Sequence, residues 1–177
     1  SREYDSYDLV KDGEKLGKVT LSVPGEHNVY NSLAVIAVAM LTGADFEQCV
    51  KGIEDFHGAG RRFEKLAEIA DDYAHHPREL EVTLKTAMNM GYRKVWAVFQ
   101  PFTYSRTAIL FDDFVRVLQI PDHCIMTEIM GSREVNTYDI YTSQLAEKIP
   151  GSVWFNTFEE VAQYAVDHAE SGDLIIT

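Results

Sequence analysis

Residues 95–99 read Val95-Trp96-Ala97-Val98-Phe99, an unbroken apolar run that is followed at once by Gln100-Pro101. Such a run, with no polar residue alternating through it, is typical of a strand buried on both faces of a parallel sheet. Shorter runs of the same kind follow at Cys124-Ile125-Met126, Val153-Trp154-Phe155 and Leu174-Ile175-Ile176. The sequence therefore predicts a series of buried strands after residue 94.

Amphipathic helical patterns lie between and before these strands. They begin near Pro77, near Leu110, at Thr142 (as the cap) and near Val161. The predicted inner faces are Leu80, Leu84, Ala87 and Met88 in the first helix, and Leu110, Phe114, Val117 and Leu118 in the second. Strand–helix alternation predicts an α/β fold with a mostly parallel sheet and helices on both faces. Ligands of such sheets bind at the carboxyl ends of the strands.

The residues before Gly58-Ala59-Gly60 have a different pattern. Apolar residues alternate with polar ones on both sides of a turn at Asp12-Gly13, which predicts a hairpin. Two helices follow, one that Gly43 ends and one that Asp45 caps and that runs to about Phe56. The inner face of the first helix is predicted to be Leu33, Ile36, Ala37 and Met40. A hairpin and two helices bury too little surface to be stable alone, so we expect them to be the tail of a larger domain.

Composition and charge exclude several classes of protein. The chain has 177 residues, 28 acidic against 16 basic side chains and a net charge of −12, which argues against a general nucleic-acid binder. No stretch approaches the ~20 apolar residues of a membrane span, and the polar start is unlike a signal peptide. Cys49 and Cys124 lack metal-type spacing, so we expect free thiols in a cytoplasmic protein.

The densest polar cluster is Asp71-Asp72-Tyr73-Ala74-His75-His76-Pro77, which joins a predicted strand end to a helix start. Two carboxylates and two imidazoles at such a position suit metal binding or proton transfer. The alternative is ordinary helix capping with a hydrogen-bonded histidine, and the spacing favours it because it matches no standard zinc pattern.

Two further clusters carry candidate binding residues. Arg106 follows the Val95–Phe99 run and would stand at the mouth of the sheet, where its guanidinium can grip a carboxylate or phosphate; the alternative is a surface salt bridge. Asn28 and Asn31 share one face at a helix start, where they can cap the helix or read the edge of a base.

Two further pairs of charged residues each have two interpretations. Arg61-Arg62 beside the glycines can reach a phosphate or form a solvated basic pair. Glu128 and Glu134 flank a loop after the second predicted strand, where they can hold an amine or form a solvated acidic loop. The chain contains no G-x-x-x-x-G-K-[ST] or G-x-G-x-x-G phosphate loop and no G-x-S-x-G elbow. It stops directly on its last predicted strand, so we expect both ends to be truncated.

Four motifs taken in order are much more specific than any one of them. They are Gly25-x-His27-Asn28-x-x-Asn31, Gly58-x-Gly60-Arg61-Arg62-Phe63-Glu64, Asp71-Asp72-Tyr73-Ala74-His75-His76-Pro77, and Phe99-Gln100-Pro101 with Ser105-Arg106-Thr107. This arrangement resembles the Mur ligases from about Tyr7 to Thr177, and within that family it is most similar to the ligases that add L-alanine to UDP-N-acetylmuramate.

The resemblance implies an ATP-dependent, amide-bond-forming ligase of peptidoglycan synthesis that uses Mg²⁺ and passes through an acyl phosphate. It implies that residues 1–60 are the C-terminal part of the central ATP-binding domain. It also implies that residues 61–177 are a Rossmann-like, amino-acid-binding domain, truncated at its end. The family's phosphate loop and magnesium-binding carboxylate would lie upstream, so we expect this fragment to be inactive alone.

The resemblance also implies residue roles on the nucleotide side. Asn28 and Asn31 would contact the adenine end of ATP, with His27 supporting that turn. Arg62 would reach the phosphates from the hinge between the domains, and Asp72 would help to hold the nucleotide.

On the acceptor side, the resemblance implies that Tyr73, His75 and Arg106 surround the amino acid, with Arg106 pairing its carboxylate. The implied catalytic residues are Arg62, Asp72 and His75, and no metal ligand is implied within this chain.

The chain departs from the family pattern at several positions. Many relatives carry histidine or arginine where Phe102 and Thr103 stand, and Met130 replaces a usual tyrosine. Residues 63–71 are short for the extra strand that relatives place before Asp-Asp-Tyr. The alternatives are a ligase of the same family that attaches a murein tripeptide during recycling, a free-standing anion-binding module, and a metal-dependent hydrolase.

Overall fold

The computed structural model describes residues 6–58, 64–66 and 69–177. The chain divides into two compact units, residues 1–60 and residues 61–177. Among the described residues, no helix has both the length and the apolar character needed to cross a bilayer.

The first unit opens with the predicted hairpin. Strand β1 (Ser6–Lys11) pairs antiparallel with β2 (Glu14–Thr20). The turn residues Asp12 and Gly13 have positive φ angles of 52° and 86°, the conformation that a two-residue hairpin turn requires. The prediction of a hairpin is therefore confirmed.

Two helices pack on this hairpin. Helix α1 (Glu26–Leu41) is followed by Gly43 at φ 107°, and α2 (Phe46–Glu54) begins after Asp45, whose carboxylate accepts a hydrogen bond from Gln48 N at 2.8 Å. The core of the unit is Val19, Ile36 and Cys49, with half-buried apolar residues around it. Ala37 was wrongly predicted to face this core: it is exposed, and Ser32, one turn before Ile36, is buried instead.

The second unit contains a six-stranded sheet. Its strands are β3 (Glu64–Leu66), β4 (Ile69–Asp71), β5 (Val95–Phe99), β6 (His123–Thr127), β7 (Val153–Phe155) and β8 (Leu174–Ile176), in the order β3-β4-β8-β5-β6-β7. All neighbouring pairs are parallel except β3 and β4, which are antiparallel. The predicted parallel sheet is confirmed, and the short stretch before Asp72 still contains the extra strand, since β3 and β4 need only three residues each.

Helices cover both faces of this sheet. They are α3 (Pro77–Met88), α4 (Tyr104–Ile109), α5 (Phe111–Val117), α6 (Thr142–Lys148) and α7 (Phe158–His168). Val95, Ala97 and Phe99 pack into one cluster with residues of α3, α5 and α6, whereas Trp96 and Val98 pack on the other side with α7. Strand β5 is therefore buried on both faces, as its sequence predicts.

Three details of the helices differ from the sequence prediction. Met88 is 41% exposed, and Thr83 is buried on the inner face of α3 in its place. An additional helix, α4, precedes the predicted one and is separated from it by Leu110, whose φ and ψ of −106° and 22° leave the helical region. Thr142 is the first residue of α6 rather than its cap, because its buried hydroxyl donates to Thr127 O at 3.0 Å.

One buried carboxylate connects two strands at the amino-terminal edge of the sheet. Asp173, which is 2% exposed, accepts hydrogen bonds from Trp96 Nε1 (2.9 Å), Arg93 Nη2 (2.9 Å) and Glu170 N (3.1 Å). Burial raises the pKa of Asp173, but these hydrogen bonds and the charge of Arg93 outweigh it and lower the pKa below its ordinary value. This carboxylate therefore fixes β5 relative to the start of β8.

Candidate functional site

The candidate residues of the second unit follow the carboxyl ends of three parallel strands. Asp72 follows β4, Gln100 begins the loop after β5, and Glu128 begins the loop after β6. Because these strands run parallel, the three loops emerge at one edge of the sheet. This is the edge at which ligands of such sheets bind.

Asp72 links the end of β4 to helix α3. Its carboxylate Oδ2 accepts a hydrogen bond from the hydroxyl of Thr83, and its backbone N–H donates to Thr177 O at 2.9 Å. The side chain is half-buried, and its position is therefore set by α3 and β8.

The two histidines confirm the capping interpretation of this cluster. His76 is the N-cap of α3, and its Nδ1 accepts from Arg78 N at 3.2 Å. Glu79 Oε2 accepts from the backbone N–H groups of His75 and His76, both at 3.1 Å. Partial burial raises the pKa of Glu79, but these hydrogen bonds outweigh it, so the pKa lies below its ordinary value. Within the described part of the chain, no group of three or more histidine, cysteine or acidic side chains is arranged to hold a metal ion.

The imidazole of His75 is bonded through its Nδ1. This nitrogen lies 2.9 Å from Tyr73 O, and because a carbonyl oxygen only accepts, a hydrogen bond here assigns the proton to Nδ1. In the neutral ring, Nε2 is then the atom with a free lone pair, which suits it to accept a proton from a nearby amine.

Arg106 lies on α4 with its guanidinium against an aromatic ring. Its Cζ lies 5.7 Å from the ring centroid of Phe102, within the range of a cation–π contact. Its Nη1 is buried and makes no hydrogen bond to any described residue. A buried, charged N–H without an acceptor is costly, so this atom is suited to an anionic partner from outside the described residues.

The predicted acceptor residues form one continuous row. The rings of Tyr73 and His75 make an edge contact with centroids 5.2 Å apart, and those of His75 and Phe102 make another at 6.5 Å. Arg106 then lies over Phe102. The structure thus brings Tyr73, His75 and Arg106 together, and Phe102 is the residue between the imidazole and the guanidinium.

The loops after β5 and β6 are bonded to each other. Thr103 N donates to Met130 O, and Met130 N donates to Pro101 O, both at 2.9 Å. Gln100 Nε2 donates to Glu128 O at 3.1 Å. These bonds hold Thr103, the N-cap of α4, at φ 65° and ψ 140°, a region that β-branched residues rarely occupy.

Glu134 completes the connection between these loops. Its carboxylate accepts from Ser105 N at 2.8 Å and from Ser105 Oγ at 2.6 Å. These two hydrogen bonds are the main cause of a pKa of Glu134 below its ordinary value. The backbone N–H of Tyr104 and the charge of Arg106 lower this pKa further. Glu134 is exposed, as the interpretation of a solvated loop expects, and both of its oxygens accept hydrogen bonds at the first turn of helix α4.

The candidate nucleotide residues of the first unit lie at the start of α1. Asn28 Nδ2 donates to Pro24 O at 2.7 Å, and Asn31 Nδ2 donates to Asn28 Oδ1 at 3.4 Å. The two amides share one face, as predicted, and they tie the preceding loop to the helix rather than cap its N–H groups. His27 lies beside them and is exposed.

Residues 61–177 match the sequence profile of the domain described as the Mur ligase, glutamate ligase domain. The chain belongs to the Mur ligase family. Members of this family are ATP-dependent ligases that form amide bonds.

Curated relatives narrow the comparison within the Mur ligases. The chain is 41% identical over 181 residues to the UDP-N-acetylmuramate–L-alanine ligase of Lachnospira eligens. This match covers 97% of this chain and 39% of that protein. It is 39% identical over 183 residues to the ligase of the same name from Acetivibrio thermocellus, with 98% and 39% covered. The chain thus spans about two fifths of the length of these relatives.

Solved structures agree with the Mur ligase fold. The UDP-N-acetylmuramate-alanine ligase of Thermotoga maritima superposes with a TM-score of 0.79 at 25% identity, over 97% of this chain and 38% of that one. A murein peptide ligase from Psychrobacter arcticus gives a TM-score of 0.64 at 24% identity, over 99% and 39%, and this likeness shows the fold alone.

Two of the candidate site residues cannot be compared with this geometry. Arg61 and Arg62 lie outside the described residues, so the predicted contact of Arg62 with phosphate stays a prediction. Sequence reasoning missed the role of Thr103 as the cap of α4 and that of Phe102 beneath Arg106. The sequence signal for the role of Thr103 is weak. Threonine is a common N-cap residue, and its hydroxyl accepts from the backbone N–H three residues later, which here belongs to Arg106.

Proposed function

We propose that this chain is the C-terminal part of an ATP-dependent ligase that joins L-alanine to UDP-N-acetylmuramate in peptidoglycan synthesis. The observation that carries the proposal is the buried Nη1 of Arg106 at the carboxyl edge of the sheet, which has no hydrogen-bond partner among the described residues and lies in one row with Tyr73 and His75. Sequence identity of about 40% to ligases of this name supports the choice of substrates.

In this proposal, residues 61–177 bind the amino acid. Arg106 pairs with the carboxylate of L-alanine, and the planar guanidinium favours a bidentate contact. The amine then points along the row toward His75, whose Nε2 takes a proton from it. Tyr73 holds the imidazole through its carbonyl and its ring contact.

Residues 1–60 belong, in this proposal, to the central ATP-binding domain. His27, Asn28 and Asn31 contact the adenine end of ATP, and their loop is already ordered by the bond from Asn28 to Pro24 O. Arg62 contacts the nucleotide phosphates, Asp72 helps to hold the nucleotide, and Mg²⁺ is held mainly by parts of the whole protein outside this chain. A cytoplasmic location is part of the proposal, since the reaction uses ATP and both cysteines are free thiols.

The proposed reaction passes through an acyl phosphate on the sugar carboxylate, formed by transfer of the γ-phosphoryl group of ATP. The neutral amine of L-alanine attacks the acyl carbon, so that a C–N bond forms, the C–O bond to phosphate breaks, and phosphate leaves. The two residues of this chain that serve the step are Arg106, which positions the nucleophile, and His75, which removes its proton.

The test is the substitution Arg106→Ala in the full-length protein. We expect the KM for L-alanine to rise while the KM for ATP stays unchanged, with kcat/KM for L-alanine lower by about a hundredfold, because a desolvated carboxylate loses its partner. Arg116→Ala is the matched control, since Arg116 is an exposed arginine of α5 that pairs with Glu81. Equal effects of Arg106→Ala on both KM values would contradict its assignment to the acceptor.

A further inference from the structure

Helix α4, which carries Arg106, is short and begins under strain. It has six residues, and its N-cap Thr103 has φ 65°. The cap bond from Arg106 N to Thr103 Oγ1 is long, at 3.4 Å. An isolated helix of this length is not stable in water, so contacts from outside must hold α4 in place.

Glu134 supplies two of these contacts. It reaches Ser105 from 29 residues away in sequence and accepts from both its N–H and its hydroxyl, at 2.8 and 2.6 Å. Ser105 precedes Arg106, so these bonds fix the backbone from which the guanidinium extends. A carboxylate at the first turn of a helix is also favoured by the helix dipole.

The same contacts occupy both oxygens of Glu134. The hydrogen bonds from Ser105 are the main cause of the lowered pKa of Glu134, and the charge of Arg106 is a smaller cause. Both carboxylate oxygens accept bonds from Ser105, and Arg106 Nη1 stays without an acceptor among the described residues. The guanidinium therefore keeps one buried nitrogen open for an anion from outside the described residues.

We propose that Glu134 is a positioning residue. By accepting two hydrogen bonds from Ser105, it orients the Arg106 guanidinium toward the carboxylate of the acceptor. This inference rests on the proposed function, in which Arg106 binds that carboxylate. Glu134 itself touches no reacting atom, so its removal acts through α4.

The test compares Glu134→Ala and Glu134→Gln in the full-length enzyme. We expect Glu134→Ala to raise the KM for L-alanine about tenfold, with the KM for ATP unchanged, because a small displacement of a positioning group costs up to ~10²-fold. Glu134→Gln keeps an oxygen that accepts one of the two bonds, so it is expected to restore part of the loss.

Glu160→Ala is the matched control. Glu160 is a carboxylate of the capping box of α7, and its Oε2 accepts from Thr157 N at 3.1 Å and from Thr157 Oγ1 at 3.0 Å. A purely structural role for Glu134 predicts that both alanine variants lower the melting temperature and that neither changes the KM for L-alanine. That result would overturn the inference.

The wild-type enzyme separates this inference from the proposed function. If the wild type has no alanine-dependent activity but uses another acceptor, the proposed function is wrong. The KM for that other acceptor is then measured in Glu134→Ala and Glu160→Ala, and a rise in Glu134→Ala alone still supports the inference. Amide hydrogen exchange gives a readout without activity: Glu134→Ala is expected to speed exchange across residues 104–107 relative to Glu160→Ala, and equal exchange would also overturn the inference.

Discussion

At the scale of single residues, the second unit has a buried charged group at each of two edges of its sheet. The two groups differ in whether they have hydrogen-bond partners. Asp173 at the amino-terminal edge has a partner for each carboxylate oxygen: Oδ2 accepts hydrogen bonds from Trp96, Arg93 and Glu170 N, and Oδ1 forms an ion pair with Arg93 Nε at 2.9 Å. Arg106 at the carboxyl edge has a buried nitrogen without a partner among the described residues. Satisfied charge stabilises a fold, whereas unsatisfied charge at a ligand-binding edge marks the place where a ligand completes the bonding.

Asp173 gives a prediction for the pH dependence of stability. Its pKa in the folded chain lies below the ordinary value of 3.8, so the carboxylate contributes stability above about pH 4 and loses it as the pH falls through the lowered pKa. We expect Asp173→Asn to lower the free energy of unfolding at pH 7 by about 1–3 kcal/mol and to flatten its decline at acid pH. Urea denaturation at pH 7 and pH 3, followed by tryptophan fluorescence, measures both.

Asp112→Asn is the control for this experiment, because Asp112 is an exposed carboxylate of α5. An acid dependence that is identical in wild type and Asp173→Asn would show that Asp173 does not stabilise the folded chain through its charge.

At the scale of elements, the loops after β5 and β6 act as one support for α4. Phe102 and Met130 form a parallel bridge, and the ring of Tyr104, the first residue of α4, packs directly on Gly131. A Cβ on Gly131 would lie 2.9 Å from Tyr104 Cζ, so the ring of Tyr104 must move to admit it. Support for Arg106 therefore comes from both loops.

Gly131→Ala tests this support without touching a charged residue. We expect a several-fold rise in the KM for L-alanine of the full-length enzyme and a loss of about 1–3 kcal/mol of stability, since the added methyl group overpacks the contact. Gly52→Ala is the control, because a Cβ on Gly52 in α2 meets no atom within 4 Å. An unchanged KM in Gly131→Ala would show that α4 does not need this contact.

The predictable elements are those with a strong local pattern. Strand β5 is a continuous apolar run, and Pro77 marks the start of α3, so both were predicted correctly. The wrong or missing details depend on contacts distant in sequence. Thr142 is drawn from its capping position by Thr127 O, 15 residues away, and α4 exists because loops after two different strands hold it.

The candidate site divides in the same way. The meeting of Tyr73, His75 and Arg106 follows from strand order, because loops after parallel strands share one edge. The bond between Glu134 and Ser105 has no sequence signal, since 29 residues separate the two. Sequence identified Glu134 as a polar residue of the right loop, and only the structure shows what it binds.

At the scale of the whole molecule, our proposal assigns the acceptor-binding domain of a larger ligase to residues 61–177. It spans about 39% of the length of relatives named UDP-N-acetylmuramate–L-alanine ligase and contains no glycine-rich phosphate loop. Division of the substrates among domains makes domain closure the step that assembles such a site. We therefore expect the 177-residue chain alone to release no phosphate from ATP.

The most direct test of the central claim is phosphate release by the full-length protein with ATP, Mg²⁺ and UDP-N-acetylmuramate, comparing L-alanine with the murein tripeptide. The isolated chain serves as the negative control. We predict release that depends on L-alanine and is absent with the tripeptide. Release with the tripeptide alone would assign the enzyme to murein recycling, and release with neither acceptor would contradict the proposed ligase reaction.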